Sequence, residues 1–416
     1  MSALQFQSLL GLPLLCALAW ACGGCRRGVR PRIVAAGLLG QVLLGAALLH
    51  VPPLRAAFAL VGGAVNALAA ATRAGTSLVF GYLGGAPLPF AETAPGASFI
   101  LFFQALPLVL VVGALSAVLY HWRVLPAVVA LLARGLRWLF GLSGACNLGV
   151  AANVFVGMVE APLLVRHWLG GFSRAELFVT MVAGLATISG NMLVVYATMI
   201  APVVPDAAGQ LLAASLISAP AAILTALLMM PEREGAPPSP DAEAAQPRLY
   251  DSTMDALVRG TADGLGLLLG IMASLIVFVA LVALANAALE PLTGLTLQQI
   301  AAWLFWPLAW AMGVPAGECA TVARLLGVKV VVNEFVSYLE LASTGGAGLS
   351  ERSRLVLAYA LCGFTNFGSV GIMVTGMAAM CPERRAEIVS LGLPSLVAAS
   401  IACCMAGATV GLLTPP

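Results

Sequence analysis

Long apolar runs alternate with short polar or Gly/Pro-rich breaks along almost the whole chain. A run of about 20 apolar residues is enough, as an α-helix, to cross the hydrocarbon core of a bilayer. The pattern predicts spans at residues 4–21, 33–51, 98–119, 175–201, 210–230, 265–289 and 355–380, and a last one ending near Leu413. Small and polar residues interrupt the spans at 175–201 and 355–380, so both are expected to be broken helices. Other apolar stretches are expected at or near the interface. These are a Gly/Ala-rich stretch at 55–85 (interfacial or peripheral), an arginine-bearing helix at 124–142 with Arg134 and Arg137, and a stretch carrying Trp303, Trp306 and Trp310.

Two regions, 146–174 and 313–345, hold apolar pieces too short to span, each interrupted by Gly, Pro or Asn beside a glutamate. They suggest re-entrant helical hairpins. Hairpin, broken helix and helix then occur twice, at 146–230 and again at 313–413, the sequence mark of an inverted-repeat secondary transporter. The expected fold is an all-α integral membrane protein of about eight transmembrane helices, two re-entrant hairpins and interfacial helices. Its expected segments are an N-terminal membrane unit (1–95), a scaffold helix with an interfacial helix (96–145) and the first repeat (146–230). A cytoplasmic linker (231–263), a second scaffold helix with its interfacial helix (264–312) and the second repeat (313–416) complete the chain.

Arg26, Arg27, Arg30 and Arg32 follow the first apolar run rather than preceding it, so that run reads as a retained span, not a signal peptide. The positive-inside rule puts those arginines in the cytoplasm and the N-terminus outside, in a multi-pass protein of the inner or plasma membrane. Arg352 and Arg354 fit this orientation poorly, since their loop should face outward. Composition agrees with the class: 61% of residues are hydrophobic and 9% charged, against about 25% charged in soluble domains. The net charge of +2 is spread without a basic tract, so nucleic acid is not an expected partner, whereas lipid is. Lys329 is the only lysine and no Gly-Lys-Ser/Thr exists, which excludes ATP hydrolysis at a P-loop. Three histidines and nine cysteines form no metal framework, and no cofactor is expected.

The chemistry concentrates on two carboxylates. Glu160 lies in NVFVGMVEAP (153–162) and Glu334 in VVVNEF (330–335), both otherwise hydrocarbon-compatible. A charge at mid-bilayer costs about 2.5–3.5 kcal/mol on insertion scales, so such a group lines a cavity or meets a ligand. Two of them, one per repeat, point to a shared binding site at membrane depth.

Four ordered motifs now carry a resemblance: FVGMVEAPLLV (155–165), GLATISG (184–190), NEFVSY (333–338) and CGFTNFGS (362–369). They resemble the signatures of the concentrative nucleoside transporter family from about residue 95 onward; the preceding part is similar only in general plan. The resemblance implies a homotrimer in which two hairpins and two unwound helices clasp a nucleoside. Sodium, or alternatively a proton, would drive the cycle while a transport domain moves, elevator-like, against a trimer scaffold. By the same resemblance the ribose-binding residues fall on Glu334, Asn366 and Ser369, a carboxylate, amide and hydroxyl able to satisfy sugar hydroxyls. Phe364 would pack on base or ribose. Gly157 and Glu160 correspond to the first hairpin tip, where a carboxylate contacts the base or couples ion to substrate. The implied sodium site is Asn153 and Thr187 through side-chain oxygens and Val156 and Ile188 through carbonyls, the oxygen ligands a hard cation prefers.

One position departs. Many family members follow Gln or Met with Thr or Ser between that glycine and glutamate, facing the base; here the pair is Met158 and Val159. Losing the hydroxyl predicts altered base preference, leaning toward purine nucleosides. The alternatives are a same-fold carrier of a nucleobase or other hydroxylated metabolite, a passive channel, and a membrane-embedded enzyme using two carboxylates as acid and base.

Overall fold

The computed structural model describes residues 2–26, 28–92, 98–232 and 249–415. Arg27 and most of the expected linker (233–248) lie outside the described residues. All regular secondary structure among the described residues is helical, and eight of these helical segments are long and apolar enough to cross a membrane.

The chain opens with α1 (Ala3–Cys22), started by a Ser2–Gln5 capping box, then α2 (Pro31–His50) and α3 (Pro52–Phe80), both launched by proline in the first helical turn. The stretch expected at the interface or periphery is therefore a single 29-residue helix. It too qualifies as a span by length and composition, yet only 6% of its apolar window is buried. Beyond a 3-10 turn (Gly81–Gly84) and a one-turn helix (Leu101–Gln104) come α4 (Leu108–His121) and the amphipathic α5 (Val124–Phe140), which buries Val129, Ala133 and Leu136 and leaves Trp138 exposed.

The first repeat follows. Helix α6 (Gly144–Asn153) is only 10 residues long, about 15 Å of rise, half of what a span requires. It turns back through residues 154–159 into α7 (Glu160–Leu164), which tolerates Pro162 in its first turn, where a proline removes no intrahelical donor. The broken helix is α8 (Arg174–Ala186) and α9 (Gly190–Ile200), and α10 (Ala207–Met229) closes the unit. The Ser173–Glu176 capping box starts α8, and Glu176 also accepts the Ser143 amide at 3.0 Å, fixing the foot of the first hairpin to α8.

Helix α11 (Thr253–Thr293) departs from expectation. Residues 253–263 belong to it rather than to a linker, because Asp255, Arg259 and Asp263 are accommodated on a helix, with Arg259 paired to Asp255 at 3.1 Å. Its 41 residues span about 60 Å, far longer than the predicted 265–289, and it packs on α4. The second repeat is introduced by α12 (Leu297–Ala311) and consists of α13 (Cys319–Val331), α14 (Glu334–Ser343), α15 (Glu351–Leu361), α16 (Phe367–Met380) and α17 (Arg385–Leu413).

Burial separates core from periphery. The apolar windows of α8–α9 and of α10 are each 89% buried and that of α17 is 78%, against 11% for α11. A helix that is apolar all round and buried is central. The first broken helix, α15 and the two closing helices therefore form the centre, with α3 and α11 outside.

Arg352 has a physical reason for defying the charge rule. Its side chain is buried and donates from Nη1 to the Thr414 carbonyl, from Nη2 to Ser8 Oγ at 3.2 Å and from Nε to the Gly313 carbonyl at 3.4 Å. An arginine consumed in tying the ends of α1, α12 and α17 together is not a loop charge, and carries no orientation signal. Nothing comparable explains Arg354.

Candidate functional site

Both interruptions in the broken helices are built by local chemistry. Helix α8 ends where the Thr187 hydroxyl bonds back to the Ala183 carbonyl at 2.8 Å, and Ser189 caps α9 by accepting the Met192 amide at 3.4 Å. In the second repeat, Asn366 caps α16 by accepting the Ser369 amide at 2.7 Å. Gly363, with φ +155°, sits where the breaks touch: a Cβ there would meet the Leu185 and Ala186 carbonyls at 2.9 Å. The unwound segments thus cross against one another at the centre of the protein.

The hairpin tips reach the same place. The Gly190 amide donates to the Phe155 carbonyl at 2.8 Å, pinning the first tip to the α8–α9 break. Gly157 adopts φ +129°, and a Cβ there would lie 2.6 Å from Glu160 Oε2, so the carboxylate folds over a position open only to glycine. Asn333 caps α14 by accepting the Val336 amide at 3.0 Å, which fixes Glu334 as its first residue.

A cavity of about 270 Å3 results, and all eight predicted substrate residues line it: Gly157, Met158, Val159, Glu160, Glu334, Phe364, Asn366 and Ser369. Glu334 is buried and held from two sides. Tyr196 donates its hydroxyl to Oε1 at 2.8 Å and Asn366 donates Nδ2 to Oε2 at 2.8 Å. Glu160 is exposed to the cavity, so the two glutamates differ in surroundings. Residues beyond the prediction also contribute: Tyr196, Ser189 and Asn191 from the first broken helix, and Ser274 and Phe278 from α11. Tyr196 left no sequence signal, as one aromatic in an apolar run; Ser274 and Phe278 stand on a helix read only as scaffold.

The four predicted cation ligands adjoin this cavity. Thr187 donates its hydroxyl to the Asn153 carbonyl at 3.1 Å, and Asn153 donates Nδ2 to Gly149 at 3.0 Å. Asn153 Oδ1 is buried with no donor, an orphan acceptor at a site made of oxygens. Ile188 is fully buried and Val156 lines the cavity. This donor set suits a hard, weakly charged cation. Among the described residues no cluster of three His, Cys, Asp or Glu could hold another metal ion.

A second cavity, about 480 Å3, shares Val156, Glu160, Asn191 and Leu267 with the first and extends to Arg166, His167 and Tyr250. Glu160 stands at the doorway between them.

Comparison with known proteins matches three family descriptions in chain order. They are Na+ dependent nucleoside transporter N-terminus over residues 10–83, nucleoside recognition ("Gate") over 102–203, and Na+ dependent nucleoside transporter C-terminus over 210–411. The chain is similar to the nucleoside permease NupC of Helicobacter pylori, with 29% identity covering 97% of each protein. It is also similar to sodium/nucleoside cotransporter 1 of Mus musculus, with 32% identity over 99% of this chain and 64% of the mouse protein. Among solved structures, CNTnw in an inward-facing substrate-bound state superposes with a TM-score of 0.89 at 34% identity, covering 99% of both chains.

Proposed function

The chain belongs to the Na+-dependent nucleoside transporter family, and from that premise we propose that it imports nucleosides across the plasma membrane by sodium symport. It is a multi-pass membrane protein whose relatives are transporters; the reading of Glu160 and Glu334 as an enzyme's acid–base couple falls with that. Glu334 and Asn366 take the sugar hydroxyls, with Ser369 beside them, and Glu160, Met158 and Val159 face the base. Sodium enters as co-substrate at Asn153 and Thr187 with the carbonyls of Val156 and Ile188. Because Asn153, Val156 and Glu160 all belong to one hairpin, a cation bound beside its tip orders the residues that meet the nucleoside. Coupling then needs no long path.

The doorway at Glu160 leads from the substrate cavity into a second one ending at Arg166 and His167, the route we assign to nucleoside passage. A neutral nucleoside moving with one sodium gains about 2.3 kcal/mol from ~100 mV of potential, enough for roughly 50-fold accumulation. The elevator motion and a homotrimeric scaffold are part of the same proposal.

The observation that carries the reading is the buried Glu334 carboxylate, held by Tyr196 and Asn366 against a cavity shared with Glu160. Uptake of labelled nucleosides into proteoliposomes, with sodium and pH varied independently, tests it. Concentrative uptake that stops when the sodium gradient is collapsed is expected; equilibration without concentration indicates a channel, and dependence on pH alone indicates proton coupling.

A further inference from the structure

The two repeats end their first half-helices in opposite ways. In the first, α8 stops at Ala186 beside the predicted sodium site; among the described residues no side chain of the first hairpin donates to its terminal carbonyls, and Asn153 Oδ1 has no donor. In the second, α15 stops at Leu361, and the second hairpin supplies the donors. Tyr338 donates its hydroxyl to the Ala358 carbonyl at 2.8 Å, and Lys329 donates Nζ to the Ala360 carbonyl at 2.8 Å. Lys329 is the only lysine of the chain and is 2% exposed, among the largest fully buried side chains of the protein.

The correspondence between repeats is close. Glu160 begins α7 as Glu334 begins α14, and Ser189 caps α9 as Asn366 caps α16. Each break therefore presents the carbonyl-rich, partially negative end of a half-helix to the first arm of its own hairpin. A cation belongs at both places. The first end meets only the Thr187 hydroxyl and the Cys403 thiol and leaves Asn153 Oδ1 without a donor, while the second already holds an ammonium.

We propose that Lys329 is a tethered cation occupying the second-repeat counterpart of the sodium site, so that only one of two related cation positions is open to a free ion. This rests on the sodium reading of the first repeat. A permanently filled position locks α13 to the end of α15 and keeps the Asn366 cap and Glu334 in place whether or not sodium is bound. The device also fixes stoichiometry, because a position filled by the chain's own ammonium cannot exchange with the gradient.

The test uses full-length Lys329→Ala and Lys329→Met. The alanine variant opens a space that n-propylammonium matches atom for atom; methionine fills the space without charge. Uptake is expected to fall by about tenfold or more in both, the loss of a charge-assisted hydrogen bond. It should return in K329A, and not in K329M, with n-propylammonium or with excess sodium, and sodium activation of K329A should become steeper than that of the unmodified protein. The unfolding midpoint of purified K329A should rise in n-propylammonium or sodium relative to choline. Unmodified sodium activation in K329M, or a K329A midpoint indifferent to both cations, overturns the proposal. Should K329A not be recovered folded, the K329M activation curve decides alone: unchanged overturns, shifted to higher sodium or lost supports. The unmodified protein, assayed in parallel, reports separately on the sodium reading itself.

Discussion

Tyr196 and Glu334, far apart in sequence and in different repeats, share a 2.8 Å hydrogen bond in which the phenol donates to carboxylate Oε1. The Tyr196 ring is packed against Tyr338, with centroids 4.7 Å apart, and against Phe335 at 5.9 Å. The donor is thus held by the aromatic wall of the second hairpin, and Glu334 is aimed before any ligand arrives. Tyr196→Phe keeps the wall and removes only the hydroxyl. A hydrogen bond to a charged group is worth about 1.5–3 kcal/mol, so nucleoside affinity should fall by about tenfold or more. Titration of nucleoside against the purified protein's unfolding midpoint measures it, with Glu334→Gln expected to lose more.

Gly157→Ala should be more damaging than its size suggests. The new Cβ would stand 2.6 Å from Glu160 Oε2 at φ +129°, where an L-residue is strained by roughly 1–3 kcal/mol. The hairpin tip must move or the Glu160 carboxylate must leave. Nucleoside uptake should drop at least tenfold, while the unfolding midpoint moves by only a few degrees, because the shift is the strain divided by the large unfolding entropy of a long chain. Unchanged uptake would mean that the tip geometry does not set the site.

The difference between Glu160 and Tyr196 shows what the sequence could and could not reveal. A carboxylate in an apolar run is legible at once, because burying it is expensive and so demands a purpose. The short helices were legible for a related reason: pieces too short to span, interrupted by Gly, Pro or Asn, appear in order as α6, α7, α13 and α14. A tyrosine in an apolar helix is cheap to place, and only tertiary packing turned Tyr196 toward Glu334. Helix α11 was cut short because Asp255, Arg259 and Asp263 look like a solvated linker, and hydropathy cannot see a helix continuing beyond the lipid. Arg352 misled in the opposite sense, since the charge rule assumes loop arginines reach water.

Arg352→Met tests that last explanation. Removing the guanidinium leaves the Gly313 and Thr414 carbonyls and the Ser8 hydroxyl without their charged donor. None of these residues lines the substrate cavity. Stability should fall by about 1.5–3 kcal/mol, read as a lower unfolding midpoint, with nucleoside affinity unchanged. A fall in affinity at unchanged midpoint would assign Arg352 to the transport machinery instead.

Val159 stands where the resemblance to the family leads one to expect a hydroxyl, and the structure gives it a setting. The side chain lines the cavity next to Glu160 and lies against α16: a Cβ placed on Gly376 would meet Val159 Cγ1 at 3.2 Å. A methyl therefore lines the cavity where the family resemblance leads one to expect a base-facing hydroxyl. Threonine is close to valine in shape, so Val159→Thr should fit the same space and add one donor and acceptor. A pyrimidine or purine edge able to use that group would gain relative to one that cannot, by about 1–3 kcal/mol if a buried partner was previously unpaired. The expectation is a ratio of adenosine to uridine uptake favouring adenosine in the unmodified protein and shifting toward uridine by about tenfold in the variant. Competition between the two labelled nucleosides in one proteoliposome preparation measures the ratio directly, free of differences in protein amount. An unaltered ratio would remove Val159 from base recognition and leave selectivity to Met158, Glu160 and Phe364.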